Sequence, residues 1–278
     1  MERIPGTPDL RLGDSLGPYR LESVLGEGAI GVVFKATREQ DGAVALKVLK
    51  KLLSRNEIFR QRFVREARVA QEVRHPHLVQ ILETGEALGY HYLAVSYVDG
   101  GSLEDRLEAP GQLSLDECIR LAAEIASGLD ALHAHDIVHR DVKPSNVMLD
   151  VGGRAALTDF GLAKGPAYTV LTKPGQVMGT LDYIAPELIR GEQAGPASDL
   201  YALGCVVYEC LAGAPPYADK QIFEVAFAHI EDEPPDVSLK RDVPRALAEV
   251  VQRAMAKDPT ERPRTATAFA HLLRAAAS

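Results

Sequence analysis

The sequence predicts an α+β protein of two lobes, in which a small antiparallel β-rich lobe with one main helix precedes a larger and mostly helical lobe. Three observations lead to this fold class: β-branched runs punctuated by glycine near the N-terminus, one amphipathic helix pattern after them, and repeated helix signals in the second half of the chain. The 278 residues are enough for two such lobes with a core of useful size.

The predicted sheet begins with three β-branched runs, at Tyr19–Leu25, Val32–Thr37 and Val44–Leu49. Asp41-Gly42 lies between the last two runs and is a strong hairpin signal. Two further strand-like runs complete the sheet, Leu78–Glu83 and Tyr90–Val95.

The main helix of the small lobe is predicted from Glu57 to Val73, where side chains recur every three or four positions on one apolar face. Ser114 and Glu117 form a capping box, which predicts the start of a long helix running to about His133. Later helices are predicted over residues 199–211, 220–230, 244–256 and 265–275.

We expect a flexible lead-in over residues 1–15, an N-terminal lobe over residues 16–97 and a C-terminal lobe over residues 98–278. The lead-in is rich in Pro, Gly and charged residues, which favours mobility. The segment 98–102 is interpreted as a hinge, and a cleft between two lobes is a common place for a ligand.

The composition argues against some classes of partner. A formal net charge of -8 makes the chain a poor candidate for binding nucleic acid or an anionic membrane surface. Cys118, Cys205 and Cys210 match no zinc or redox spacing, so we expect buried structural thiols in a reducing compartment. No targeting or membrane segment is visible, which predicts a cytoplasmic protein or the cytosolic domain of a longer membrane-anchored one.

The residues Leu25–Val33 follow the pattern G-x-G-x-x-G-x-V between two predicted strands. Glycines let backbone N–H groups approach a polyphosphate, because no Cβ stands in the way. The pattern alone is weak, and a glycine-rich turn without a ligand is the alternative interpretation. A strand rather than a helix follows it, so it is not a dinucleotide-binding fingerprint.

The next predicted strand places Lys47 among apolar residues, where it could simply extend from a sheet edge to water. Glu66 lies in the apolar stripe of the predicted helix, where an unpaired carboxylate would be costly. We therefore expect Lys47 and Glu66 to form an ion pair, which by itself could be purely structural.

The second half contains three motifs in order: His139-Arg140-Asp141-Val142-Lys143-Pro144-Ser145-Asn146, Asp159-Phe160-Gly161 and Ala185-Pro186-Glu187. On these motifs the chain, from about Leu16 to its C-terminal end, resembles the eukaryotic-like protein kinases, particularly the bacterial-type Ser/Thr kinases. The resemblance implies the two-lobed protein kinase fold and transfer of the ATP γ-phosphate to Ser/Thr hydroxyls of proteins. It also implies ATP and Mg²⁺ as cofactors, with Mn²⁺ as an alternative metal.

The same resemblance assigns roles to individual residues. Asp141 is expected to accept or orient the hydroxyl proton, and Lys143 to neutralise the transferring phosphate. Lys47, positioned by Glu66, is expected to hold the α- and β-phosphates. The expected metal ligands are Asn146 and Asp159. The expected nucleotide-binding set is Leu25, Gly26, Glu27, Gly28, Ala29, Ile30, Gly31, Val32, Val33, Ala45, Lys47, Val95, Ser96, Val98, Met148, Thr158 and Asp159.

By resemblance, adenine would lie between Val33 and Ala45 on one side and Met148 on the other, with Val95 as the gatekeeper. Residues 96–98 would supply backbone hydrogen bonds. The chain departs from the common family pattern at two positions, Ser96 in the hinge and Ile30 at the tip of the glycine loop. These departures predict an altered nucleotide fit with retained activity.

The Ala185-Pro186-Glu187 motif favours protein acceptors, because by resemblance residues 179–187 form a platform for an extended peptide. Lys143 and Thr180 match the Ser/Thr pattern. Glu187 is expected to pair with Arg262, since a buried carboxylate favours a guanidinium fork. A pseudokinase scaffold and a kinase of small molecules are the alternatives that stay open.

Thr169 and Thr172 lie between the second and third motifs and are candidate phosphorylation sites. A phosphate on either could pair with Arg140 and order the loop, so we expect autophosphorylation, which a homodimer could carry out. His139 is interpreted as a packing residue that supports the catalytic loop. Asp199 is interpreted as an anchor for the loop backbone, with a simple helix N-terminal charge as the alternative.

Overall fold

The computed structural model describes residues 7, 9–28, 30–40, 42–160 and 181–278, which divide into two compact units. The first unit runs to His75 and also contains Val79–Asp99. The second contains Pro76–Leu78, Gly100–Phe160 and residues 181–278. The division after Asp99 lies close to the predicted boundary between residues 97 and 98, but Pro76–Leu78 belong to the second unit.

A six-stranded antiparallel sheet with the strand order β1-β2-β3-β4-β6-β5 forms the framework of the first unit. The strand predicted over Leu78–Glu83 begins later, because Leu78 instead forms a single bridge with Leu157. The strands are β1 (Ser15–Leu16), β2 (Tyr19–Glu27), β3 (Gly31–Arg38), β4 (Gly42–Leu49), β5 (Ile81–Ala87) and β6 (Tyr90–Ser96).

Side chains of β3 and β4 alternate between two faces of this sheet. Val32 and Phe34 of β3 are completely buried in the core of the first unit. Val33 of β3, with Ala45 and Lys47 of β4, is only half buried. Because successive side chains of a strand point to opposite faces, these three lie on the face away from that core.

Two described residues just before the sheet, Asp9 and Leu10, pack against the first unit. Leu10 is 0% exposed and belongs to the core of the first unit. Asp9 forms an ion pair with Lys51 and accepts a hydrogen bond from the Tyr90 hydroxyl at 3.3 Å. A buried side chain and a charged pair therefore attach Leu10 and Asp9 to the unit, and the expected mobility of residues 1–15 stays a prediction.

The predicted main helix of the first unit is present as α2 (Glu57–Gln71), after the short α1 (Lys51–Ser54). Phe63, Ala67 and Ala70 are the buried residues of α2. Their spacing of three and four residues places them on one face, and the opposite face is left to solvent.

Helices form most of the second unit. The long helix α4 begins where predicted, and the Ser114 hydroxyl accepts a hydrogen bond from the Glu117 N–H at 3.1 Å. The core helix α6 is buried on almost all sides. No helix in the described part of the chain has the length and apolar character of a membrane span. The helices are α3 (Leu103–Glu108), α4 (Leu115–His133), α5 (Pro186–Ile189), α6 (Pro196–Ala212), α7 (Ile222–Glu231), α8 (Arg245–Ala254) and α9 (Ala266–Ala276).

A two-stranded sheet in the second unit carries part of the predicted site. Its strands β7 (Val147–Leu149) and β8 (Ala155–Leu157) are antiparallel. The Gly100 N–H donates to the Leu149 carbonyl at 2.9 Å, and a Cβ at Gly100 would lie 2.5 Å from that oxygen. Only glycine fits there, so the predicted hinge is attached to β7 by its backbone.

The three cysteines are buried free thiols, as predicted. Burial raises the pKa of Cys118 to about 11 and the pKa of Cys205 and Cys210 well above the usual range. The Cys118 thiol donates to the Cys210 carbonyl at 3.3 Å. These groups therefore act as small apolar core residues rather than as nucleophiles.

Candidate active site

The turn between β2 and β3 contains three glycines, and the surrounding structure does not require glycine equally at each position. The Gly28 N–H donates to the Gly31 carbonyl at 2.8 Å and closes the turn. A Cβ on Gly31 would lie 2.4 Å from the Val48 carbonyl oxygen, so strand pairing itself requires glycine there. Among the residues that the structure describes, a Cβ on Gly26 would meet no atom within 4 Å. Packing of the first unit does not require glycine at this position, and the open space beside it fits the close approach of a ligand such as a polyphosphate.

Four predicted nucleotide-binding side chains lie on one face of the sheet. Val33 is paired with Lys47, and Ala45 is paired with Val95. All four are half buried. Val32 differs from the prediction, because its side chain faces the core and is completely buried. Only the backbone of Val32 is available to a ligand.

Glu66 lies on α2 and accepts a hydrogen bond from Arg62, one turn earlier, at 2.9 Å. The pairing of Glu66 with Lys47 stays a prediction. Glu27 at the end of β2 forms an ion pair of 3.0 Å with Lys50, which directly follows β4. The predicted phosphate-binding turn is therefore held beside β4 by this ion pair as well as by the pairing of β3 with β4.

The end of β6 leads into the predicted hinge. The Ser96 N–H donates to the Gln80 carbonyl at 2.9 Å and is thus already engaged within the first unit. Val98 is half buried, and Leu25, at the other end of the predicted set, is 46% exposed. The Ser96 N–H is therefore not available to the nucleotide. The predicted backbone hydrogen bonds would have to come from the Ser96 carbonyl and from residues 97 and 98.

Three predicted catalytic residues meet in the loop before β7. The Asn146 amide nitrogen donates to the Asp141 backbone carbonyl at 2.8 Å and to Asp141 Oδ2 at 3.0 Å. Lys143 Nζ lies 3.3 Å from Asp141 Oδ2. The Asp141 and Lys143 side chains are 17% and 20% exposed, so both can still meet a substrate. A carboxylate with an ammonium group beside it suits proton transfer combined with charge neutralisation.

Backbone pairing brings the residue before Asp159 to the same loop. The Thr158 N–H donates to the Asn146 carbonyl at 2.9 Å. Met148 of β7, two residues after Asn146, is half buried. Asp159 has a φ of 61°, a conformation that is uncommon outside glycine and is found at functional sites. The two hydrogen bonds from Asn146 to Asp141 both use the NH₂ group of its amide. Its amide oxygen and the Asp159 carboxylate are donors that fit a divalent cation.

Asp199 holds the backbone of the predicted catalytic loop, as expected from the sequence. Its carboxylate is 1% exposed and accepts hydrogen bonds from the N–H groups of His139 at 2.7 Å and Arg140 at 2.8 Å. Arg140 has a φ of 67°, a strained conformation for a residue with a side chain. The buried carboxylate stabilises this conformation, which a simple helix N-terminal charge would not do.

His133 at the end of α4 is a member of the site that sequence patterns do not identify. Its Nε2 lies 2.8 Å from Asp199 Oδ2. Burial opposes the charged imidazole, yet hydrogen bonds with Asp130 and Asp199 raise the pKa of His133 to about 9. The protonated ring therefore neutralises the buried anchor. In the sequence His133 looks like an ordinary helix C-terminal cation.

His139 supports the loop from inside. It is 1% exposed, and its ring packs edge to face on Phe160 with centroids 6.2 Å apart. Its Nδ1 accepts a hydrogen bond from the Asp141 N–H at 3.3 Å. These contacts confirm the interpretation of His139 as a packing and hydrogen-bonding residue.

The predicted pair of Glu187 and Arg262 is confirmed. The guanidinium donates to both carboxylate oxygens at 2.8 Å, and both side chains are almost completely buried. The Ser198 hydroxyl also donates to Glu187, at 2.7 Å. Burial opposes ionisation, but the Arg262 guanidinium holds the pKa of Glu187 below its usual range. The third motif is thus fixed to α6 and to the segment before α9.

Residues 29 and 161–180 are not described by the structure. The predictions for Ala29 in the glycine loop and for Thr180 lie outside the described residues. The same holds for the candidate phosphorylation sites Thr169 and Thr172.

Residues 19–273 match the protein kinase domain family. The serine/threonine-protein kinase PknD of Mycobacterium tuberculosis is 40% identical over 256 residues, which are 91% of this chain and 38% of the relative. PknE of the same organism is 40% identical over 261 residues, which are 93% of this chain and 46% of the relative. The chain thus spans less than half the length of these curated relatives.

The crystal structure of the Mycobacterium tuberculosis PknI kinase domain superimposes on this chain with a TM-score of 0.77 at 31% sequence identity. The match covers 96% of this chain and 100% of that one. The predicted kinase fold and the predicted resemblance to bacterial Ser/Thr kinases are therefore confirmed. The ordered motifs, the fold and these similarities show that the chain belongs to the protein kinase domain family.

Proposed function

We propose that this chain is the catalytic domain of a protein Ser/Thr kinase that transfers the γ-phosphate of ATP to Ser and Thr hydroxyls of proteins. The observation that carries this proposal is the grouping of Lys143 and Asn146 around the Asp141 carboxylate, at 3.3 and 3.0 Å. The family implies ATP and a divalent metal. We propose Mg²⁺ as that metal, with Mn²⁺ as the alternative.

Asp141 accepts or orients the proton of the acceptor hydroxyl as its oxygen attacks the γ-phosphorus. A new O–P bond forms while the bond to the β,γ-bridging oxygen breaks, and ADP leaves with the electron pair of that bond. Lys143 offsets the negative charge on the transferring group. The Asn146 amide holds the Asp141 carboxylate in a fixed orientation through its 3.0 Å hydrogen bond.

The first unit is proposed to bind the nucleotide. Val33, Ala45 and Val95 offer a half-buried apolar surface for adenine, and Lys47 on the same face offers a positive charge for the α- and β-phosphates. The open space at Gly26 supports close approach of the phosphates to the turn. We propose that Glu66 positions Lys47.

Asn146 and Asp159 are the proposed metal ligands of this chain, because both offer oxygen atoms and their backbones are joined through Thr158. A divalent cation held by these two residues would supply charge neutralisation during phosphate transfer. Dependence of activity on Mg²⁺ and on Mn²⁺, each titrated into metal-free protein, distinguishes the two metals.

The reaction class is tested by incubating the chain with γ-labelled ATP and a generic basic protein, followed by acid hydrolysis of the labelled protein. We expect phosphoserine and phosphothreonine from the wild type and almost none from Asp141→Asn. Asp116→Asn, an exposed acid in the first turn of α4, is the control that should match the wild type. Label on a small molecule alone would contradict the proposal and favour a small-molecule kinase. ATP binding with no transfer by the wild type would favour a pseudokinase.

We further propose autophosphorylation at Thr169 or Thr172, carried out between two copies of the chain. Arg140 supports this proposal, because its backbone is fixed by Asp199 and its cationic side chain precedes the catalytic Asp141. Mass spectrometry after incubation with Mg²⁺ and ATP is expected to find phosphate in the peptide of residues 164–180. Full activity together with an unmodified peptide would contradict this proposal.

A cytoplasmic location is proposed, either for the protein alone or for this domain as the cytosolic part of a longer membrane-anchored protein. The three reduced thiols and the use of ATP support a cytosolic environment. Cell fractionation of the full-length protein checks this, and protease protection of this domain outside the cytosol would contradict it.

A further inference from the structure

The helix α7 has apolar residues on two sides. Its inner side buries Val225, Ala228 and His229 in the second unit. Its outer side carries Phe223 and Phe227, which are 78% and 67% exposed. These two residues are four positions apart and therefore lie on the same helix face. A helix that is apolar on its outer side as well as its inner side is expected to have a partner.

Acidic residues surround the two exposed aromatic rings. Residues 219–233 contain five Asp or Glu and one Lys, and that Lys220 forms an ion pair of 3.1 Å with Asp232. Glu224 and Glu231 are exposed on α7. We define Phe223, Phe227, Glu224 and Glu231 as the acidic aromatic face. Its chemistry fits a partner that combines exposed apolar side chains with Lys or Arg.

The first unit of the same chain carries a surface with that chemistry. Residues 50–74 contain eight Lys or Arg and three Glu, in a chain whose formal net charge is -8. On α2, Ile58 is 82% exposed and Val69 is 47% exposed, and Arg62 and Arg65 lie between them. The spacing of four, three and four residues places these four side chains on one stripe, which we define as the basic face.

The basic face lies away from the packing contacts of α2. The buried residues of the helix are Phe63, Ala67 and Ala70. Arg62 forms its 2.9 Å ion pair with Glu66 along the helix, whereas Arg65 is exposed. The chain therefore presents an acidic and a basic surface, each with exposed apolar residues, on two different units.

We propose that the acidic aromatic face of one copy binds the basic face of a second copy of this chain. Complementary charge and matched exposed apolar residues favour this occupant over a membrane, since an acidic surface is repelled by anionic lipids. The contact joins two different surfaces, so it is heterologous and each copy retains one unoccupied face. A helix face of this size is smaller than the roughly 800 Å² per partner of a stable complex, and the association is therefore weak and dependent on concentration.

Association is measured by sedimentation velocity over a range of protein concentrations, with Asp141→Asn in every sample so that no phosphorylation occurs. The α7 variant is Phe223→Ser with Phe227→Ser, and the α2 variant is Ile58→Ser with Arg65→Glu. Each is expected to lower the association constant by about tenfold or more. Val151→Ser is the matched control, because Val151 is 84% exposed outside both faces. The control should associate like the parent, and circular dichroism checks that all variants are folded.

Mixing the two variants tests the heterologous geometry. Each variant retains the face that the other lacks, so the mixture should form a one-to-one pair more strongly than either variant associates alone. Parent-like association of the α2 variant alone would overturn the proposal, because α7 would then contact some other surface. A parent that stays monomeric at every concentration would also overturn it.

One outcome assigns the acidic aromatic face to another occupant. If the wild type is monomeric but the α7 variant phosphorylates an added protein more slowly, the face binds substrates and the second-copy assignment is wrong. Because association is measured without turnover, its failure is distinguishable from failure of the proposed kinase activity. Any effect of the contact on phosphorylation between copies rests on that proposed function.

Discussion

In the first unit the predicted nucleotide-binding side chains are placed by strand pairing, whereas in the second unit the predicted catalytic residues are placed by side chains from distant helices. Val33, Ala45 and Lys47 share a face because side chains alternate along paired strands. Arg140, next to the proposed catalytic residue Asp141, instead has a strained backbone that Asp199 stabilises. Substitutions should therefore act locally in the first unit and spread through the whole loop in the second.

The largest effect is expected for Asp199→Ala. The substitution leaves the His139 and Arg140 N–H groups and the His133 imidazolium without their buried carboxylate, so we expect a loss of about 3–5 kcal/mol in unfolding free energy. Phosphate transfer should fall by at least about 100-fold as the loop loses its conformation. Denaturant titration and a transfer assay measure the two effects. Asp116→Ala, an exposed control, should cost no more than about 1 kcal/mol. Wild-type activity in Asp199→Ala would contradict the anchoring role.

A pH-dependent effect of similar size is expected from His133. Its pKa is raised from 6.5 to about 9 in the folded chain, so its stabilisation is fully present below pH 6.5 and is lost as the pH rises through 9. The whole contribution is about 3 kcal/mol. The difference in unfolding free energy between the wild type and His133→Gln should shrink across this window. A difference that stays constant from pH 6 to pH 9 would show that the imidazolium is not the stabilising form.

Lys257 shows why this comparison needs the His133→Gln variant. Burial lowers the pKa of Lys257 from 10.5 to about 8, so its charged form is disfavoured in the folded chain. Stability therefore rises between pH 8 and pH 10.5 on account of Lys257, which opposes the trend from His133. Both proteins contain Lys257, so the difference between their unfolding free energies no longer includes the contribution of Lys257.

A smaller effect is expected from two glycines of the same turn. Gly31→Ala places a Cβ 2.4 Å from the Val48 carbonyl oxygen and should lower the unfolding free energy by about 1–3 kcal/mol. The Cβ of Gly26→Ala meets no atom of the described part of the chain within 4 Å, so this substitution should change stability by less than about 0.5 kcal/mol. It should instead raise KM for ATP, because the new Cβ occupies the proposed phosphate space. Equal stability losses in the two variants would contradict this division of roles.

The smallest effects are expected from Val32→Ala and Val33→Ala, which alter opposite faces of β3. Val32→Ala removes buried methyl groups and should cost about 1.5 kcal/mol of stability with little change in KM for ATP. Val33→Ala should cost less stability and raise KM, because Val33 lies on the proposed nucleotide face. Thermal unfolding and initial rates at varied ATP give both quantities. The reverse pattern would place the nucleotide on the other face of the sheet.

Most of the fold follows from local sequence signals. Alternation over β3 and β4, the hairpin signal at Asp41-Gly42 and the Ser114 cap each depend on neighbouring residues. The pair of Glu187 and Arg262 could be predicted because a motif identified one partner and charge identified the other.

The remaining features depend on contacts between residues far apart in the sequence. His133 and Asp199 are 66 positions apart, and no local pattern joins them. Leu10 lies in a segment of loop-like composition, but one buried side chain is enough to attach it to the sheet. Val32 entered the predicted nucleotide set with its motif neighbours, although the strand period turns its side chain into the core.

The most direct test separates nucleotide binding from phosphate transfer in Asp141→Asn. ATP affinity is measured by calorimetry in the presence of Mg²⁺, and transfer is measured in a single turnover with γ-labelled ATP. We predict an affinity close to that of the wild type and a transfer rate lower by a factor of about 100 or more. Transfer at the wild-type rate would contradict the central claim that the Asp141 carboxylate, held by Asn146 and Lys143, performs the proton step of this kinase.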